Sequence, residues 1–220
     1  MSNFISKTQR IVVVGASGFG RETLDVIEAS IESGKKLEIV GVLDDAPSQL
    51  NLERLKNRSI PYLGKIDDWL LDSDREIAFV VGIGSPIIRQ KIAEKFEAAG
   101  FQSVSLVHPR AVIGSETRIA KGAVICAGVV ISTNVVLEEY VHVNANVTVG
   151  HDSVLEAFVS LNPGAIISGE VRVARAVLIG AGALVLQQLT IQEGSTLGAG
   201  AVVTKSVPSG VIVKGVPGRW

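Results

Sequence analysis

The 220-residue chain has one cysteine, Cys126, so it can form no internal disulfide and no cysteine-rich zinc site, in keeping with a reducing cytoplasm. It has no excess of either charge, because 21 Lys+Arg stand against 22 Asp+Glu, which argues against nucleic acid or an anionic membrane surface as the main partner. Its longest apolar run, Val177 to Leu186, is far short of the ~18 residues that a membrane span needs. The start, Met1 to Arg10, has no apolar core of the kind a secretory leader requires. Aromatic residues are few and unevenly placed: of ten, only Tyr140, Phe158 and Trp220 fall in residues 106–220, which also hold 15 of the 43 charged residues. A core built on bulky rings is therefore excluded from the second half. A mean hydropathy of +0.39 is high for a monomer and suggests a buried oligomer face.

What the second half does have is a period of six. From Ile113, each sixth residue up to Val203 is Val, Ile or Leu, sixteen positions in register, and the residue two before each is small or medium-sized. A helix repeats at 3.6 and an amphipathic strand at 2, so this pattern predicts short strands joined by tight corners, with inward residues at the pivot and two before it. Three strands make an 18-residue coil, and the coils stack as a parallel β-helix of about five turns. The residue after the pivot is often small (Gly114, Gly150, Gly180, Gly198), which is expected to reflect unusual φ/ψ at the corner.

With the closing Lys205-Ser206-Val207-Pro208-Ser209-Gly210 and Gly215-Val216-Pro217-Gly218-Arg219, these hexads resemble the left-handed β-helix acyltransferases. The resemblance implies a homotrimer that binds acetyl-CoA between adjacent β-helices. A metal-dependent relative would need three converging histidines, whereas His108, His142 and His151 do not share one 18-residue stack, so no metal is expected.

In the first half, Arg10–Gly15 reads as a buried parallel strand, followed by Ala16-Ser17-Gly18-Phe19-Gly20-Arg21-Glu22 and a helix to about Ser33. Strand, glycine turn and helix N-terminus make an anion site, since free amides and the helix dipole point at a phosphate. A second strand ends in Asp44-Asp45, where such folds read a base or ribose; a solvated turn is the alternative. A third strand, Ala78–Gly84, a helix from Ile87 to Ala99 and a strand from Ser103 to Val107 complete a half-Rossmann-like α/β domain over residues 1–105, with the β-helix over 106–220.

The segment from Gly15 to Glu22, the Leu43-Asp44-Asp45 triplet and the spacing from Ile83-Gly84 to Arg89 together resemble the PglD/NeuD-like nucleotide-sugar acetyltransferases. That resemblance implies a substrate site on Ala16, Ser17, Gly18, Asp44, Asp45, Gly84 and Arg89 for a nucleotide-linked amino sugar. It also implies His151 as catalytic base with Asp152 beside it and Asn144 nearby. Histidine suits the task because it titrates near the working pH and a carboxylate favours the imidazolium that forms. His151 stands two beyond pivot Val149 and is expected to point outward. His142 is expected to face a partner subunit or solvent, and His108, before Pro109, to be a structural link. Relatives often carry a histidine where this chain has Ser160; Ser160 is expected to donate a hydrogen bond to acetyl-CoA, with Ala181 and Ala199 lining its pantetheine and Lys205 meeting its phosphates. The implied activity is cytoplasmic N-acetylation of the 4-amino group of such a sugar. Sugar O-acetylation, as of sialic acid, and non-catalytic nucleotide-sugar binding are the alternatives.

Overall fold

A computed structural model describes residues 8–220, so the part of the leader reading that rests on residues 1–7 lies outside the described residues. Among the described residues no helix is long and apolar enough to cross a membrane. Two compact units emerge, one running to Ile83 and including Ile92–Val104, the other comprising Gly84–Lys91 and Ser105–Trp220.

The first unit is built on three parallel strands, β1 (Gln9–Val14), β2 (Leu37–Leu43) and β3 (Ala78–Val81), in the order β2-β1-β3. The central strand is an unbroken apolar run, Ile11 to Val14 at 0% exposure, as a parallel strand covered on both faces requires. Single parallel bridges from Val42 to Tyr62 and from Phe79 to Ser103 extend the sheet at its two edges. The predicted strand over 103–107 is thus split: Ser103 pairs with Phe79, while Leu106–Val107 opens the second unit. Helix α1 (Gly18–Glu32) follows the glycine turn, and two short helices absent from the sequence reading, α2 (Gln49–Asn57) and α3 (Ile66–Asp72), connect β2 to β3. Helix α4 (Pro86–Ala98) follows β3.

Two glycines let α1 approach the sheet. Gly15 has φ +114°, and a Cβ on Gly20 would lie 1.8 Å from the Gly15 carbonyl oxygen. Any side chain at position 20 is therefore incompatible with this packing, which is a requirement of distance and not of backbone conformation.

The second unit is a parallel β-solenoid of two-residue strands on three faces. The first face has seven strands from Leu106–Val107 to Ile212–Val213, the second six from Val112–Ile113 to Val202–Val203, and the third five from Arg118–Ile119 to Thr190–Ile191. The stack has about six turns, one more than the hexad count predicts, because it begins before Ile113 and continues past Val203. Partners stand 18 residues apart as far as Val185 and Val203, but Ile191 pairs with Val207 and Leu197 with Val213, so the last turn is two residues shorter. From Ile125 to Val203 every pivot is at most 1% exposed. Each such burial contributes ~1.5–3 kcal/mol toward offsetting the ordering of a backbone that has only two-residue strands.

The corners correct one expectation. The left-handed φ falls three residues after the pivot, at Gly122, Gly128, Asn134, Tyr140, Asn146, Asp152 and their successors, and not directly after it. The small residues directly after the pivot are there because coils stack closely: a Cβ on Gly150 would lie 2.5 Å from the Gly169 nitrogen, and one on Gly180 2.6 Å from the Ala199 nitrogen.

Candidate active site

His151 and Asp152 form the corner between the second and third faces. The pivot Val149 is buried, the next residue is held small by the coil below, and the following two turn outward. The His151 side chain is 56% exposed, and its Nδ1 lies 2.7 Å from Oδ2 of Asp152. Asn134, 18 residues earlier and so directly one coil away, donates from Nδ2 to Oδ1 of Asp152 at 3.0 Å. The hydrogen bonds from His151 and then Asn134 hold the Asp152 carboxyl below the usual carboxylate range. In the tautomer that carries its proton on Nδ1, the ring donates to this carboxylate and Nε2 is the nitrogen that can accept a proton. On the other side, the imidazole lies against Gly169, 18 residues later, where a Cβ would come within 2.6 Å of Nε2. Neither Asn134 nor Gly169 was singled out from sequence, although stepping by 18 from Asp152 and His151 leads directly to them.

Asn144 sits one corner earlier, between the first and second faces, 8% exposed, and its Nδ2 donates to the Leu161 carbonyl at 2.8 Å. Its side-chain amide thus caps the next coil and is not turned to the His151–Asp152 pair.

Three residues expected to make outside contacts are buried within the chain. Arg89, expected at a substrate, is 0% exposed. Its Nε donates to the Tyr140 carbonyl at 3.0 Å, and its Nη2 donates to the Phe158 carbonyl at 2.6 Å and to Ser160 Oγ at 2.9 Å. Burial pushes its guanidinium down to about 9, which leaves it charged at neutral pH, satisfied by carbonyl oxygens at a corner. Ser160, expected at the cofactor, is 1% exposed and its hydroxyl is taken up by Arg89 and by the Gly84 carbonyl at 3.0 Å. His142, expected to face a partner or solvent, is 1% exposed beside Ser160 in register, on the part of the first face that Arg89 and Gly84 close over. His108, in contrast, is a local link, its Nδ1 accepting the Arg110 amide at 3.0 Å.

The same corner explains two of the rare aromatics. Tyr140 and Phe158 adopt left-handed φ of 58° and 63°, which costs bulky residues ~1–3 kcal/mol each. Their rings stack one coil apart, centroids 5.1 Å and planes 6° apart, and Arg175 lies 4.7 Å over Phe158. Stacking, a cation over the ring and the Arg89 bonds offset the strain.

In the first unit, Asp44 does not stand free. Its Oδ2 accepts the Ala16 amide at 2.8 Å and its Oδ1 the Ala46 amide at 3.0 Å, so the Ala16 amide is already committed. Asp45 Oδ1 accepts the Ile66 amide at 2.8 Å and so caps α3. Both carboxylates are thus bonded to backbone, and Asp45 is exposed, as the turn alternative also requires. Ser17 is exposed at the start of α1 with no side-chain cap bond, and a Cβ on Gly18 or Gly84 would meet nothing within 4 Å.

At the corner between the first and second faces, Gly180-Ala181-Gly182 and Gly198-Ala199-Gly200 lie one coil apart, with Ala181 and Ala199 exposed. Lys205 places its Nζ 4.6 Å from the Trp220 ring at the end of the stack.

Residues 10–96 match the PglD N-terminal domain family. A stretch of 139 residues is 34% identical to GDP-perosamine N-acetyltransferase of Escherichia coli O157:H7; it covers 60% of this chain and 58% of that relative's length. Among solved structures, the acetyltransferase domain of PglB from Neisseria gonorrhoeae FA1090 is 30% identical, with a TM-score of 0.83 over 96% of this chain and 98% of that one. PerB from Caulobacter crescentus, in complex with CoA and GDP-perosamine, is 27% identical, with a TM-score of 0.85 over 97% of each chain. Parallel α/β unit, left-handed solenoid and relatives agree: the chain belongs to the PglD-like family of nucleotide-sugar acetyltransferases.

Proposed function

We propose that this protein transfers the acetyl group of acetyl-CoA to an amine on a nucleotide-linked amino sugar, the 4-amino group of a 4-amino-4,6-dideoxy sugar. The observation that carries this reading is the exposed His151 imidazole with Nδ1 against Asp152 and Nε2 left to accept a proton. As the amine nitrogen attacks the thioester carbonyl carbon, its proton passes to His151 Nε2. The C–S bond then breaks, and the proton is available to the departing CoA thiolate. No acyl-enzyme is needed. Asp152 orients the ring and stabilises the imidazolium as it forms. Because GDP-perosamine N-acetyltransferase is the kind of relative matched, an amine is favoured over a hydroxyl as acceptor.

The solenoid suits acetyl-CoA where its corners are stripped of side chains. The exposed pairs Ala181-Gly182 and Ala199-Gly200 leave a surface free of long side chains along which a pantetheine chain can lie, and Lys205 at the end of the stack suits its phosphates. Ala181 and Ala199 lie on one corner of the second face and His151 on the other. Between them run exposed apolar residues, Val112 at 60%, Val130 at 41% and Ile166 at 41%. A homotrimer packed on this face covers the apolar row and brings the His151 corner of one copy to the small-residue corner of its neighbour, so that the site lies between subunits. The nucleotide is held in the first unit at Ser17 and Gly18, at the exposed start of α1, and at the unused acceptor capacity of Asp44 and Asp45.

A panel of UDP-, dTDP- and GDP-linked amino sugars incubated with acetyl-CoA tests the reading by release of free thiol. One acceptor should turn over. Failure of all of them, together with no shift in melting temperature on adding acetyl-CoA, would favour a binding protein without catalysis.

A further inference from the structure

The corner position two residues beyond each pivot carries Ser115, Lys121, Ala127, Thr133 and so on along the stack, and it is glycine at only one of the sixteen hexads, Gly169. Backbone conformation does not require this, because the φ of Gly169 lies outside the left-handed region. Its own column carries Ser115, Thr133, His151 and Gln187, so the site accepts side chains elsewhere. The backbone around it is held as at other corners, with the Glu170 amide donating to the His151 carbonyl at 2.8 Å and the Gln188 amide to the Gly169 carbonyl at 3.1 Å. What distinguishes position 169 is the imidazole one coil before it. A Cβ there would stand 2.6 Å from Nε2, 2.7 Å from Cε1 and 3.1 Å from Cδ2 of His151.

We propose that Gly169 is a positioning residue for His151: the space left by its missing Cβ holds the ring where Nδ1 meets Asp152 and Nε2 lies over the following coil. This rests on the acyl-transfer reading only for its effect on rate. A methyl group at 169 leaves the fold intact, because the ring can swing out into solvent. The ring then moves by roughly 1 Å or more, a misplacement of a kind that can cost ~10²-fold in rate. The Asp152 carboxylate simultaneously loses its first hydrogen-bond donor while Asn134 remains.

The test is Gly169→Ala on the full chain, with His151→Ala and the double variant beside it. Side-chain carboxyl NMR should show the Asp152 titration in Gly169→Ala moved up, toward its value in His151→Ala, with the melting temperature unchanged within ~2 °C. With GDP-perosamine or whichever acceptor the panel identifies, kcat should fall ~10- to 100-fold while KM for acetyl-CoA changes less than ~3-fold. In the double variant, Gly169→Ala should add nothing to the loss from His151→Ala. An Asp152 titration that Gly169→Ala leaves unchanged would overturn the proposal. Should the wild type acetylate no acceptor, the proposed reaction fails instead, and the Asp152 titration still decides the role of Gly169.

Discussion

Oδ2 of Asp152 lies 2.7 Å from Nδ1 of His151, the residue immediately before it, although successive residues rarely meet so directly. The left-handed φ of 60° at Asp152 makes this possible, since it turns the carboxylate back toward the preceding side chain at the corner. Backbone conformation at one residue thus brings its carboxylate to a ring nitrogen of its neighbour. Replacing Asp152 by Asn keeps the shape but removes the charge that favours a protonated ring. The expected result is a ~10- to 100-fold fall in kcat with little change in KM for acetyl-CoA, read by thiol release.

Asn134→Ala removes the second donor to Asp152, whose carboxyl is depressed first by His151 and then by Asn134. The titration of Asp152 should therefore move upward in this variant. The pairing is present above the Asp152 pKa and is lost as pH falls through it, so Asn134→Ala should lose it at a higher pH than the wild type. Carboxyl NMR between about pH 2 and 6 checks both statements.

Arg89→Met should destabilise the second unit. The change leaves the Tyr140 and Phe158 carbonyls and the Ser160 hydroxyl without their buried donor, at a cost of ~3 kcal/mol or more. Far less change in melting temperature would show that the corner strain at Tyr140 and Phe158 is offset in another way.

Gly18 and Gly20 should separate nucleotide binding from folding. Gly20→Ala drives a Cβ into the Gly15 carbonyl and should unfold or severely destabilise the first unit. Gly18→Ala meets no protein atom within 4 Å, so it should leave the melting temperature nearly unchanged while weakening binding of a nucleotide-linked sugar. Calorimetric titration with GDP and with UDP reads the second effect.

The solenoid was legible because every pivot carries the same demand, an aliphatic side chain filling a narrow triangular interior, and the demand recurs sixteen times. The outward His151 and its neighbour Asp152 followed from that register. Asn134 and Gly169 were equally determined by it, but they act across coils, and a reading along the chain looks to neighbours and not to residues 18 away. The burial of Arg89, Ser160 and His142 was not legible because nothing in the hexad pattern says which part of an outer face is covered; the segment 84–91, read as part of the first half, groups with the solenoid. The two acidic residues after β2 were found, but their commitment to the Ala16 and Ile66 amides is a matter of loop geometry that composition does not encode.

The central claim is that His151 is the base in acetyl transfer, and His151→Ala tests it most directly. With acetyl-CoA and an accepted nucleotide-linked amino sugar, the variant should lose ~10²-fold or more in kcat while keeping the wild-type oligomeric state and melting temperature. Near-wild-type thiol release from a folded His151→Ala protein would contradict the account.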